Sequence, residues 1–355
     1  MKNILLCLSR FPNQDDVIFD ATKDRDGINE FYIYLRESLK EKGYRLTTDK
    51  FAAPFVGVIF RCYYSISPFD FPSSWKYLKL KGIFRCLVDR NYKFVSIKDF
   101  AKEKRLYWCT DTLDAPNNDL ALHDLFHKVL HHSTNPSDTS KYVWFNSSLC
   151  EVMSKPELPI TLFSKKKLLV MINSNNQSTH PKEMYSTRRD AINCFEKHLG
   201  DEFDLYGYGW NSPTNLLEKL KIRDFPIYKS YRGPVESKAA VLSKYRFSLV
   251  IEPEIGEGLI TEKIIDCLKA GCVPVYLGAP DIEDFVPANV FINLRDFDSY
   301  EKLQVYLTNM SEERYVLFVN LGQKFLSSEE YNRFSPENKA KIILNSLGLS
   351  QINTQ

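Results

Sequence analysis

The chain has 355 residues, 44% of them hydrophobic, and a mean hydropathy of -0.31. This length and composition fit two soluble domains, each with its own core. Forty-seven basic and 45 acidic residues leave a net charge of +2. That balance argues against nucleic acid as a partner and leaves room only for peripheral contact with the inner membrane surface.

No stretch approaches the ~20 apolar residues that a membrane span requires. The N-terminal run Ile4 to Leu8 is shorter than a signal-sequence core of roughly 7–15 residues. It is predicted to be the first strand of a cytoplasmic chain. Glu30 to Lys42 has helical spacing in Phe31, Tyr34, Leu35 and Leu39, and Gly43 is a natural stop. Strands are expected at Val56–Phe60, Lys93–Ile97, Leu106–Cys109 and Val143–Asn146. His123, His127 and His131 fall at i, i+4, i+8 and read as the polar face of a helix, with Leu122, Phe126 and Leu130 on its core side.

The second half alternates strand and helix. Leu168–Ile172 and Phe203–Tyr206 are predicted strands, and Met184–His198 and Glu236–Ser243 predicted helices. Tyr245–Ile251 is a short buried-type strand that leads into an acidic loop with Glu252, Glu254 and Glu257. Thr261 can cap a helix whose first turn holds Glu262 and Lys263 and whose apolar face is Ile264, Ile265 and Leu268. Gly271 ends that helix and Val273–Leu277 is the next strand. The alternation predicts a parallel sheet with helices on both faces, and ligands at the carboxyl edge of its strands. A last helix is expected at Pro336–Leu347.

The eight cysteines stand at 7, 62, 86, 109, 150, 194, 267 and 272, with no CxxC pair, and are expected to be reduced.

Residues 245–293 resemble the donor-binding signature of the α1,3/4-fucosyltransferases, glycosyltransferase family 10. The matching pieces are Tyr245-Arg246-Phe247, Ile251-Glu252, Thr261-Glu262-Lys263, Val273-Pro274-Val275-Tyr276 and Gly278-Ala279-Pro280. Pro253 stands where the family has Asn, and Leu259 where it has Tyr. The resemblance implies an α/β chain of GT-B architecture, two Rossmann-like domains facing a cleft. On that basis residues 1–163 would bind the acceptor and 164–335 the nucleotide sugar, with the helix of 336–355 packing back on the first domain. The implied reaction is inverting transfer of L-fucose from GDP-fucose to a glycan hydroxyl, O3 of a GlcNAc-type or glucose residue. The alternatives are a relative that uses another nucleotide sugar, or a catalytically silent binder.

Such a transfer needs the leaving diphosphate stabilised, a base for the acceptor hydroxyl, and the two sugars held in line. Asp24-Arg25-Asp26 and Asp296-Phe297-Asp298 do not follow apolar strands and read as solvated turns, so no metal site is expected. Mn²⁺ or Mg²⁺ would be stimulatory at most, and no cofactor is required. Fixed positive charge is the remaining solution. Lys263 lies at a helix N-terminus. By resemblance, Arg188 is preferred over Arg189 as the diphosphate contact, and Asn175 sits in the family's Ser-Asn loop. Glu262 can accept two hydrogen bonds from a ribose diol. Glu252 either orients the loop or touches the donor. The family base is a Glu in the first domain. Here Asp111 is nearest to its position and Asp114 second, either of which could instead cap a turn.

Overall fold

The computed structural model describes residues 1–8, 16–20, 30–49, 51–61, 95–109, 123–134, 138–146, 163–213, 218, 220, 222 and 224–349. Asp24, Asp26, Asp111 and Asp114 lie outside the described residues. The chain divides into two compact units, Met1–Ser154 with Asn332–Gln355, and Lys155–Tyr331.

The N-terminal unit holds strands β1 (Lys2–Cys7), β2 (Tyr44–Thr47), β3 (Phe55–Phe60), β4 (Arg105–Trp108), β5 (Lys128–His131) and β6 (Tyr142–Trp144). They form one parallel sheet in the order β2-β1-β3-β4-β5-β6. Successive side chains leave opposite faces of a strand, so the sheet feeds two cores. Ile4, Leu6, Leu106 and Trp108 pack on one face with Phe31, Leu35 and Leu39 of helix α1 (Glu30–Glu41). Leu5, Cys7 and Tyr107 pack on the other with Val95 and Phe126. Gly43 follows α1 at φ 82°, a conformation that glycine adopts without steric cost.

Two expectations are corrected here. The histidines do not share a helix, because Lys128–His131 is a strand. Val129 and Leu130 are fully buried between β4 and β6, paired in register with Tyr107 and Trp108 on one side and Tyr142 and Val143 on the other. That pairing on both sides outweighs the helical spacing of the imidazoles. His123 is itself buried, with Nδ1 3.0 Å from the Tyr142 hydroxyl. At the expected strand Lys93–Ile97, the described part is a single bridge residue, Val95, followed by a 3-10 turn at Ile97–Asp99.

The C-terminal unit holds β7 (Lys167–Ile172), β8 (Phe203–Tyr206), β9 (Tyr245–Ile251), β10 (Val273–Leu277) and β11 (Ile292–Asn293). All pair in parallel, in the order β11-β10-β9-β7-β8. The helices described in full are α2 (Tyr185–Leu199), α3 (Lys238–Leu242), α4 (Glu262–Lys269), α5 (Tyr300–Thr308) and α6 (Glu312–Leu326). The sheet grows from β7 outward through β8, then crosses back to grow through β9, β10 and β11. The β7–β9 seam is therefore the topological switch point, and its carboxyl end is where doubly wound sheets place ligands.

Helix α7 (Pro336–Ser346) belongs to the N-terminal unit, where Ala340, Ile343 and Leu344 join the α1 core. Ser335 caps it by accepting from the Asn338 N–H, and Pro336 opens its first turn. No helix among the described residues is long and apolar enough to cross a membrane.

Candidate functional site

A pocket of about 380 Å³ opens at the carboxyl end of the β7–β9 seam. Its walls include Asn173 after β7, Arg188 and Tyr185 from α2, and Glu262 and Lys263 from α4.

The backbone that shapes it is tightly constrained. Asn173 donates its N–H to the Tyr206 carbonyl, and Asn175 donates to that of Tyr208, so the loop after β7 runs against the loop after β8. Gly207 adopts φ 131°, and a Cβ there would lie 2.0 Å from the Asn173 carbonyl oxygen. The Trp210 indole N–H donates to that same oxygen at 2.5 Å. Only glycine fits this crossing.

Arg188 sits in the first turn of α2 and is 4% exposed. Its Nε and Nη2 donate to the Ile251 carbonyl at 3.1 and 2.6 Å, and the Tyr185 ring centre lies 5.0 Å from its guanidinium carbon. Burial pushes its pKa down, and the Glu252 carboxylate opposes that shift. Two of its nitrogens anchor it to the end of β9 while the residue lines the pocket. Glu183 holds the start of the same helix, accepting from the N–H groups of Tyr185 and Ser186 at 2.6 and 3.0 Å. Arg189 does not line the pocket, and its Nη1 donates to the Asn176 carbonyl at 3.2 Å.

Glu252 is fully buried and does not line the pocket. It accepts from the Thr261 N–H at 2.7 Å and from the Thr261 hydroxyl at 2.9 and 2.7 Å. Lys263 Nζ lies 3.5 Å from its Oε2 and donates to Thr261 Oγ1 at 2.9 Å. Glu252 thus holds Thr261 at the start of α4. Thr261 makes no side-chain cap on α4, because its hydroxyl is turned onto Glu252. Gly278 makes room for this carboxylate, since a Cβ there would lie 2.4 Å from Glu252 Cγ.

Glu262 opens α4 and accepts from Lys238 Nζ at 2.8 Å. Lys238 also donates to Asp266 Oδ2 at 3.1 Å. Burial alone would raise the Glu262 pKa, but the ammoniums of Lys263 and Lys238 override it and hold it down at about 2. Lys238 is shifted upward: burial opposes its charge, and Glu262 and Asp266 more than offset that.

Of the six residues named from sequence, Arg188, Glu262 and Lys263 meet at this pocket. Glu252 stands behind it. Asn175 is not part of its wall and donates Nδ2 to the Gly209 carbonyl at 3.1 Å. Asp111 lies outside the described residues. Asp298 is exposed and paired with Lys302. Sequence reasoning missed Lys238 and Asn173, both in the pocket wall. Asn173 is 5% exposed, and neither atom of its side-chain amide has a partner among the described residues. Its only sequence signal was its place directly after a predicted strand. The site combines three cations, Arg188, Lys238 and Lys263, with the carboxylate of Glu262 held ionised beside the two lysines. That set suits a polyanion attached to a vicinal diol.

Residues 162–335 match the profile of glycosyltransferase family 10 (fucosyltransferase), C-terminal region. The C-terminal half of this chain is a family 10 glycosyltransferase domain. Segments of the chain are 44% identical over 77 residues to mouse alpha-(1,3)-fucosyltransferase 7, and 38% over 74 residues to alpha-(1,3)-fucosyltransferase FucT of Helicobacter pylori. Each match covers 21% of this chain, and 20% and 15% of those relatives. The crystal structure of an alpha1,3-fucosyltransferase with GDP-fucose superposes with a TM-score of 0.55 at 14% identity, over 100% of this chain and 92% of that one. At that identity the likeness is one of fold, and with two parallel-sheet units it gives the GT-B architecture.

Proposed function

We propose that this family 10 protein is an inverting fucosyltransferase that uses GDP-fucose. The pocket at the β7–β9 seam carries this reading. It lies within the family-matched region and sets Arg188 and Lys263 beside the ionised Glu262. Arg188 and Lys263 would take the diphosphate oxygens and offset the charge that develops on the leaving GDP. Glu262 would accept from the ribose diol, with Lys238 fixing the carboxylate in place. Because both cations are side chains, no metal is required for this step, and Mn²⁺ or Mg²⁺ would act only as a stimulant.

The acceptor is a glycan hydroxyl, O3 of a GlcNAc-type or glucose residue. A base in the N-terminal unit, Asp111, takes its proton. The oxygen then attacks the anomeric carbon from the face opposite GDP, and the C–O bond to the diphosphate breaks with inversion. The donor is thus held by the C-terminal unit and the acceptor by the N-terminal one.

Pro253 lines the pocket where the family has Asn, which favours a second reading with a different nucleotide sugar. A thermal-shift screen separates the two, since a ligand that binds only the folded state raises Tm. GDP and GDP-fucose should protect the protein. Strong protection by UDP or CMP without protection by GDP would overturn the donor assignment. Acceptor-dependent GDP release would exclude a silent binder.

A further inference from the structure

Cys194 and His198 lie four residues apart on α2, so their side chains leave the same face of the helix. Glu301, in the first turn of α5, brings a carboxylate to that face. One ligand atom from each of the three lies within 4.8 Å of the others. The Cys194 thiol donates to Glu301 Oε1 at 3.5 Å, a contact that spans 107 residues of sequence. The two helices are fixed against each other beside this cluster. The Phe195 and Tyr300 rings meet with centroids 5.7 Å apart, and the Tyr300 hydroxyl donates to the Thr187 carbonyl at 3.4 Å. None of the three residues lines the nucleotide-sugar pocket.

We propose that Cys194, His198 and Glu301 form a binding site for a zinc-like divalent ion that clips α2 to α5. A thiolate, an imidazole and a carboxylate are the ligands zinc takes, whereas magnesium and calcium favour oxygen alone. Metal–ligand lengths of about 2.0–2.3 Å put tetrahedral ligands roughly 3.3–3.8 Å apart. Side-chain rotation closes the present gap, since Glu301 and His198 are exposed and Cys194 is half-buried. On binding, the Cys194 thiol gives its proton to solvent and its sulfur lone pair to the metal. Water fills the fourth position. The site is separate from sugar transfer. It ties down the far end of the helix whose first turn carries Arg188.

Cobalt(II) is the probe, applied to the full chain after reduction and removal of bound metal with a chelator. The wild type should bind a single cobalt ion with the visible bands of a tetrahedral site and a thiolate-to-cobalt charge-transfer band, all lost on adding zinc. Cys194→Ser should lose the charge-transfer band. His198→Ala and Glu301→Gln should weaken zinc binding by about 10–100-fold or more, measured by competition with a chelating dye. Zinc should also raise Tm in the wild type and not in Cys194→Ser. Far-UV circular dichroism and the metal-free Tm confirm that each variant is folded. The proposal is overturned if the wild type shows no thiolate–cobalt band. It is equally overturned if the band survives in Cys194→Ser, or if zinc raises Tm alike in the wild type and all three variants.

Discussion

Arg188 and Lys263 hold their charge at the pocket by different means. Arg188 is desolvated and steered by the Ile251 carbonyl, whereas Lys263 is half shared with the buried Glu252. A charge-assisted hydrogen bond is worth about 1.5–3 kcal/mol, roughly 10- to 150-fold in affinity. Arg188→Ala and Lys263→Ala should each weaken GDP binding by that factor in calorimetric titration, while Arg189→Ala should change it little. Unchanged affinity in Lys263→Ala would remove that residue from the site. Glu262 adds a pH signature. Its carboxyl is held down at about 2 by Lys263 and Lys238, against an ordinary value near ~4.3. A depressed carboxylate stabilises the fold fully above the ordinary value, and that contribution is lost as pH falls through the folded-state value. The Tm difference between wild type and Glu262→Gln should therefore be constant above about pH 5 and shrink between about pH 4.5 and 2. A difference that stays flat through this window would show that Glu262 is not coupled to these lysines.

Strand ends and the loops that leave them set the pocket's shape. The crossing at Gly207 is the tightest, with the Asn173 carbonyl where a Cβ would go. Gly207→Ala should destabilise the C-terminal unit by about 1–3 kcal/mol or more through backbone strain. It should also weaken GDP binding, because Asn173 is in the pocket wall; urea melts and titration read the two effects. Unchanged stability would mean that the two loops part readily. This crossing also marks the limit of what sequence reveals. The order β9, acidic loop, α4, β10 was legible because each step is local: a short buried strand, then Glu262 and Lys263 in a first helical turn, then Gly271 at φ 61°. Arg188 was placed by resemblance to a family and then found at the pocket wall. Lys238 was not legible. Its pairing with Glu262 joins residues 24 apart through the packing of α3 on α4, and a five-residue helix has little local pattern. Thr261 read as a cap because the local rule is sound. The long-range partner Glu252, fully buried, took its hydroxyl instead. β5 failed for the same reason, since its burial is set by β4 and β6 rather than by its own four residues.

The N-terminal unit is assembled from two separate stretches of sequence, whereas the C-terminal unit is one continuous stretch. The N-terminal unit needs Asn332–Gln355, because Ile343 and Leu344 of α7 are buried against its first sheet face. Ile343→Ala should cost about 2–5 kcal/mol, the range for a truncated core aliphatic, and should leave GDP affinity intact, since every described residue of the pocket wall lies in the other unit. A loss of GDP binding with no loss of stability would contradict that division. The same division makes the base testable. Asp111 falls within the sequence span of the N-terminal unit, and no described residue of that unit lines the pocket at the β7–β9 seam. General-base catalysis contributes typically ~10²–10⁴-fold. Asp111→Asn keeps the size of the side chain but cannot take a proton, so turnover should fall by about that factor with GDP affinity nearly unchanged. Asp114→Asn should do much less. If Asp114→Asn alone is silenced, the register of this segment against the family is shifted by a short insertion. If both variants keep full turnover, neither aspartate is the base, and the buried, Thr261-bound Glu252 is a poor substitute. Glu254, in the loop after β9, would then be the carboxylate to change next. A lower Tm in Asp111→Asn would mark a turn-capping residue, and the assignment of catalysis to it would be withdrawn.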